Sequence, residues 1–167
     1  MVISFIGKSG SGKSTIANSL ATILKETHSN VLVIDGDELR SAIAPDLGFT
    51  YEDREQSEER RSKLMKVISD QGIHVICAGL SNYPQWREWC RDNVKDYFEI
   101  YLKVPQSILE DRDAKGIYER FRNGEINNVI GLDIPFVEPS NPDITISNDG
   151  SREPRVISES ILSNLPD

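Results

Sequence analysis

Residues 7–14 read Gly7-Lys8-Ser9-Gly10-Ser11-Gly12-Lys13-Ser14 and fit G-x-x-x-x-G-K-S/T at every fixed position. That pattern constrains the fold strongly, because it needs a strand directly before it and a helix directly after it. Both are legible. Val2–Ile6 is an apolar, strand-like run, and Ile16, Leu20, Ile23 and Leu24 fall at helical spacing, which predicts a helix over 13–26. The glycines between them lack a Cβ, so the backbone can curl its N–H groups around an anion. The helix start adds unpaired N–H groups and the positive end of its dipole. Lys13 can then reach the β- and γ-phosphates of a nucleoside triphosphate, and the Ser14 hydroxyl can ligate Mg²⁺. The expected phosphate-binding set is Gly7, Lys8, Ser9, Gly10, Ser11, Gly12, Lys13, Ser14 and the adjoining Thr15.

Further strands are expected at 31–34, 73–78, 97–102 and 144–146, all short and mostly apolar. Continuous apolar runs suit strands covered on both faces. Helical patterns lie between and after them at 52–71, 84–93, 105–112 and 153–164. The alternation predicts an α/β fold of the P-loop kinase kind, a doubly wound, mostly parallel five-stranded sheet. The 167 residues are read as a single domain. Ligands of such sheets sit beyond the carboxyl ends of the strands. Residues 113–142 are rich in charge, Gly, Asn and Pro and hold only isolated apolar residues. So long an irregular stretch beside a nucleotide site reads as a lid.

Composition narrows the partners. A net charge of −8 and a pI near 4.8 argue against non-specific nucleic-acid binding. No apolar run approaches the ~20 residues of a membrane span, and no leader is expected, since functional sequence starts at residue 2. Cys77 and Cys90 lack metal-ligand spacing and fit free thiols in a reducing cytoplasm. His28 and His74 are isolated, so no zinc site is expected.

A second constellation follows the second strand, at Asp35-Gly36-Asp37 and Arg40. Its carboxylates emerge at the edge where triphosphate should lie. One can orient an acceptor hydroxyl for in-line attack. Asp-Gly is also a turn and cap signal, so Asp37 is read as functional, while a cap alone would be enough to explain Asp35. Phe49 can stack on a base. Arg54, Arg60 and Arg61 can meet an anion, although Arg60 and Arg61 follow five acidic residues at 52–59 and fit a solvated helix face equally well.

The order of these pieces resembles the adenylyl-sulfate (APS) kinase family over roughly residues 2–148. The matching segments are the phosphate loop, D-G-D-E-L-R at 35–40, D-L-G-F at 46–49, D-R at 53–54, R-D-A-K-G-I-Y at 112–118, G-E-I at 124–126 and E-P-S-N-P at 138–142. The resemblance implies an ATP- and Mg²⁺-dependent kinase acting on the ribose 3′-hydroxyl of a small nucleotide that carries a mixed anhydride. It implies a lid at about 113–138 and a homodimer. It assigns catalysis to Lys13, Asp37 and Arg40, places Arg112 on the ATP adenine, and gives Arg54, Phe49, Ser57, Leu80, Ser81, Asn127 and Val129 to the acceptor side.

The departures fall on that acceptor side. Where the family reads D-R-x-E-N-I-R-R, this chain has Ser57 at the Asn and Glu59 at the first Arg of the pair. The family's F-I-S-P-Y-R becomes Gly79-Leu80-Ser81-Asn82-Tyr83-Pro84, and its lid Lys and Phe become Asn127 and Val129. Ser81 stands at the family's phosphorylatable serine and is read as a polar residue after strand three. An Arg-to-Glu change at an anion site adds a repulsive contact, and losing a stacking ring removes ~1–3 kcal/mol. A divergent branch of the family, the cytidine diphosphoramidate kinases of capsule biosynthesis, gives an alternative acceptor. A third reading, a non-catalytic nucleotide-binding regulator, is opposed by the intact Asp37, Arg40 and Arg54.

Overall fold

The computed structural model describes residues 1–113 and 115–166. Its five strands are β1 Val2–Ile6, β2 Val31–Asp35, β3 His74–Ala78, β4 Tyr97–Lys103 and β5 Ile144–Ser147. They pair in the order β2-β3-β1-β4-β5, and every pairing is parallel. All five predicted strands are present. β1 lies at the centre and is buried along its whole length. A strand so placed must be apolar toward both helical layers, which is why Val2-Ile3-Ser4-Phe5-Ile6 does not alternate.

Side chains of alternate strand positions leave on opposite faces. Ile3 and Phe5 join Ile16, Leu20 and Leu24 of α1 (Lys13–Leu24) and Ile157 and Ile161 of α7 (Pro154–Leu162) in one core. Val2 turns the other way. It packs with Val75, Cys77, Met65 of α3 (Tyr51–Asp70) and Cys90 of α4 (Pro84–Asn93). Both cysteines are free and buried. The helix α5 (Gln106–Arg112) follows β4. Among the described residues, no helix is long and apolar enough to cross a membrane.

Two helices go beyond the sequence reading. The helix α2 (Gly36–Ile43) leaves β2 with no intervening loop. The Asp35 carboxylate caps it, accepting the N–H groups of Asp37 and Glu38. α2 is short and has no fully buried residue; it packs Leu39, half-buried, against the core. The helix α6 (Ile117–Arg122) lies inside the stretch expected to be irregular. Gly116 in the left-handed region precedes it, and the Asp113 carboxylate accepts from the N–H groups of Tyr118 and Glu119. Ala114, part of the same stretch, lies outside the described residues.

Leu20 is fully buried in the core shared by α1, α7 and the sheet. Leu20→Ala should lower the unfolding free energy by about 2–5 kcal/mol. Urea denaturation should show this as a lower midpoint with an unchanged slope.

Candidate active site

The phosphate loop joins β1 to α1. Gly12 caps α1 from the left-handed region, at φ 90°, and a Cβ there would lie 2.7 Å from Nδ2 of Asn148. Lys13 folds back over the loop, its Nζ donating to Gly7 O at 2.7 Å and Lys8 O at 2.8 Å. Burial lowers the Lys13 ammonium pKa to about 8, against the opposing pull of Asp37. The Ser14 hydroxyl donates to Asp35 Oδ2 at 2.5 Å. Lys8 points elsewhere in this structure: its Nζ donates to Gln106 and sits 5.9 Å from the Phe136 ring centroid. Arg112 donates to Gly10 O at 3.2 Å and to Asn148 O at 3.0 Å. Tyr118 and Asn148, which the sequence reading did not single out, donate to Ser9 O and Ser11 O.

Asp35 is therefore more than a cap, because the same carboxylate holds α2 and the loop serine. Partial burial alone would raise its pKa. The bonds from Ser14 and from the Asp37 and Glu38 N–H groups outweigh that and hold it below the usual carboxylate range. Asp37 is exposed and pairs with Lys115 from the 113–138 stretch. Arg40 donates to Gly48 O, and Arg54 donates to Phe49 O and Asn128 O. The two guanidinium carbons lie 4.9 Å and 5.1 Å from the Phe49 ring centroid. Asp133 accepts the N–H groups of Asn128 and Val129 and so presents the Asn128 carbonyl to Arg54.

A cleft of about 1250 Å³ connects these groups, running from Lys13 and Ser14 past Asp35 and Asp37 to Phe49 and Arg54. Ser57, Leu80, Asn127 and Val129 line it as expected. Ser81 does not. It is 3% exposed, and its hydroxyl accepts from Arg61 Nη2 at 2.9 Å. The charge reversal at Glu59 is also misplaced by the sequence reading. Glu59 pairs with Lys63 at 2.5 Å and is not among the residues lining the cleft. The period of α3 instead brings Arg54, Glu58 and Arg61 to the cleft. Arg60 turns away too, held by both carboxylate oxygens of Asp46 and by Ile43 O. Asn82, fully buried at the position of the family proline, bonds Pro135 O and the Val137 N–H, which fastens the far end of the 113–138 stretch.

Comparison with known proteins gives a consistent picture. A family model described as adenylylsulphate kinase matches residues 1–147. The adenylyl-sulfate kinase of Halothermothrix orenii is 35% identical over 98% of this chain and 92% of its own length. That of Clostridium acetobutylicum is 42% identical over 87% of this chain and 73% of its own. The APS kinase of Mycobacterium tuberculosis, solved in complex with AMPPNP and APS, superposes with a TM-score of 0.89 at 32% identity, covering 98% of this chain and 96% of that one.

With a pKa of about 8, Lys13 loses its charge in the free protein within an accessible pH range. Polyphosphate stabilises the charged form, so above that pH binding must take up a proton. Affinity for ATP should be flat from pH 6.5 to 7.5 and then fall toward about tenfold per unit above pH 8. Titration calorimetry in buffers of different ionisation enthalpy checks both the fall and the proton uptake. Lys13→Met should bind more weakly and lose the pH dependence.

Proposed function

The chain belongs to the adenylylsulphate kinase family, and on that footing we propose that it transfers the γ-phosphoryl group of ATP to the ribose 3′-hydroxyl of adenylyl sulfate. One observation supports this most directly. The phosphate loop, two strand-end carboxylates and the Arg40–Phe49–Arg54 cluster line one cleft, at the carboxyl edge of the sheet.

In this reading the N–H groups of the loop and of α1 take the triphosphate, and Lys13 neutralises charge that grows on the transferred group. Ser14 and Asp35 offer hard oxygen donors side by side, a set that fits Mg²⁺ held partly by phosphates. When bound, that ion would neutralise charge on the β- and γ-phosphates. Asp37 accepts the proton of the 3′-hydroxyl. The hydroxyl oxygen forms its bond to the γ-phosphorus as the bond to the bridging oxygen breaks, and ADP leaves. Lys115 pairs with Asp37 in this structure, so it must release the carboxylate before Asp37 can take the proton. Residues 113–138 act as a lid that excludes water from this step. Phe49 offers a face to the acceptor base. Buried free thiols fit the cytoplasm, and sedimentation velocity checks the homodimer that the family resemblance implies.

A second reading, a different nucleotide acceptor, is favoured by Ser57, Asn127 and Val129, which line the cleft where the family pattern differs. ADP release with adenylyl sulfate and with cytidine diphosphoramidate, compared as kcat/KM, decides between the two. A clear preference for the cytidine compound would overturn the adenylyl-sulfate reading and keep the kinase.

Asp37→Asn should reduce kcat by about 10²–10⁴ while the ATP dissociation constant stays within a factor of about two. Equal loss in an Asp35→Asn variant, with Asp37→Asn active, would mean that the two carboxylates have exchanged roles.

A further inference from the structure

We propose that Arg61 receives the distal anionic group of the acceptor nucleotide, and that Glu58 and Ser81 position it. The inference rests on the kinase reading above but not on the identity of the acceptor.

Three arginines line the acceptor side of the cleft. Arg40 and Arg54 are occupied with the Phe49 ring and with backbone carbonyls. Arg61 is placed differently. Its Nη2 donates to Ser81 at 2.9 Å and lies 3.5 Å from Glu58 Oε1. Its Nε is buried and, among the described residues, has no acceptor. A buried N–H without a partner is costly, so the protein does not itself use every donor of this guanidinium, which lines the cleft.

The backbone is shaped around this side chain. A Cβ at Gly79 would lie 2.6 Å from Arg61 Nη1; one at Gly36 would meet the backbone of Ala78 and Gly79 first, at 3.0 and 3.2 Å, with Nη1 in ordinary contact at 3.5 Å. Neither glycine has a positive φ, so what matters at both positions is space rather than backbone freedom. Gly79 stands where the family pattern F-I-S-P-Y-R has its Phe. Gly36 and Gly79 directly follow β2 and β3. That puts the guanidinium at the carboxyl edge of the sheet.

An anion is the ligand that this arrangement suits. The planar guanidinium matches the oxygens of a phosphate or sulfate. Glu58 does not compete for the ligand, because Oε2 accepts the Asn82 N–H at 3.1 Å and Oε1 faces Arg61. The base end of the acceptor is provided for elsewhere, by Phe49, which is 59% exposed.

The test compares acceptors that differ only in the distal anion. Calorimetry with Mg²⁺ and a non-hydrolysable ATP analogue measures adenylyl sulfate against AMP. A parallel pair, CDP against CMP, keeps the test independent of the acceptor assignment. Wild type should favour the member bearing the distal anion in at least one pair. Arg61→Met should weaken that member by about thirtyfold and leave the shorter one within about twofold. Arg61→Lys should fall between, and the affinity for the ATP analogue should not move. Thermal melting confirms that each variant is folded, and Arg61→Lys carries the test if Arg61→Met is not. Equal weakening of both members, a loss confined to the ATP analogue, or no wild-type preference in either pair would overturn the proposal. If only the cytidine pair shows the preference, Arg61 stands and the adenylyl-sulfate reading falls.

Discussion

A loop that binds an anion with its N–H groups must place its carbonyls elsewhere, because each backbone oxygen also needs a partner. Here every carbonyl from Gly7 to Ser11 accepts a side-chain donor: Lys13 for Gly7 and Lys8, Tyr118 for Ser9, Arg112 for Gly10 and Asn148 for Ser11. The local chain supplies only Lys13. The other three donors come from α5, α6 and the end of β5, all more than a hundred residues later. The anion site is thus built on the strand order that brings β4 and β5 beside β1.

The same dependence links the two halves of the cleft. Arg112 and Tyr118, which hold the loop, flank Lys115, which pairs with Asp37. Asp35 connects them from the other side, since one carboxylate takes the Ser14 hydroxyl and the first N–H groups of α2. α2 in turn carries Asp37 and Arg40. A displacement of the loop is therefore felt at the Asp37 carboxylate through two routes, one through α2 and one through the 113–138 stretch.

What was legible in the sequence follows from how local each signal is. The phosphate loop was readable because glycine spacing, a strand and a helix lie within two dozen residues. The sheet was readable because buried parallel strands cannot alternate. α2 and α6 were not, because one is only eight residues long with two apolar anchors, Leu39 and Ile43, and the other is six residues that follow a left-handed glycine amid polar residues. Tyr118 closes the R-D-A-K-G-I-Y motif, but neither its contact with Ser9 nor that of Asn148 with Ser11 could be read, since the partners lie across the fold. The error at Glu59 had another source. Aligning motifs position by position ignores helical phase, and one residue along α3 is a rotation of about 100°. That rotation sends Glu59 to Lys63 and solvent and leaves Glu58 facing the cleft. Arg54 and Arg61, seven residues apart, share a face and could have been found by that period alone.

Arg60 and Arg61 show how far environment outweighs residue type. Arg60 is bound to Asp46 in a bidentate pair at the surface, where water competes for both groups. Arg61 is packed against two glycines, with Glu58 largely withdrawn from water beside it. Burial pushes the Glu58 carboxyl above its ordinary range, and Arg61 and Arg87 pull it back. Removing one partner from such a pair leaves the other charge uncompensated, typically at about 3–5 kcal/mol. Most surface substitutions cost far less. A charge pair under the cleft is held where an apolar contact would be cheaper. Gly79 carries the same argument into the backbone, since a Cβ there would run into the guanidinium.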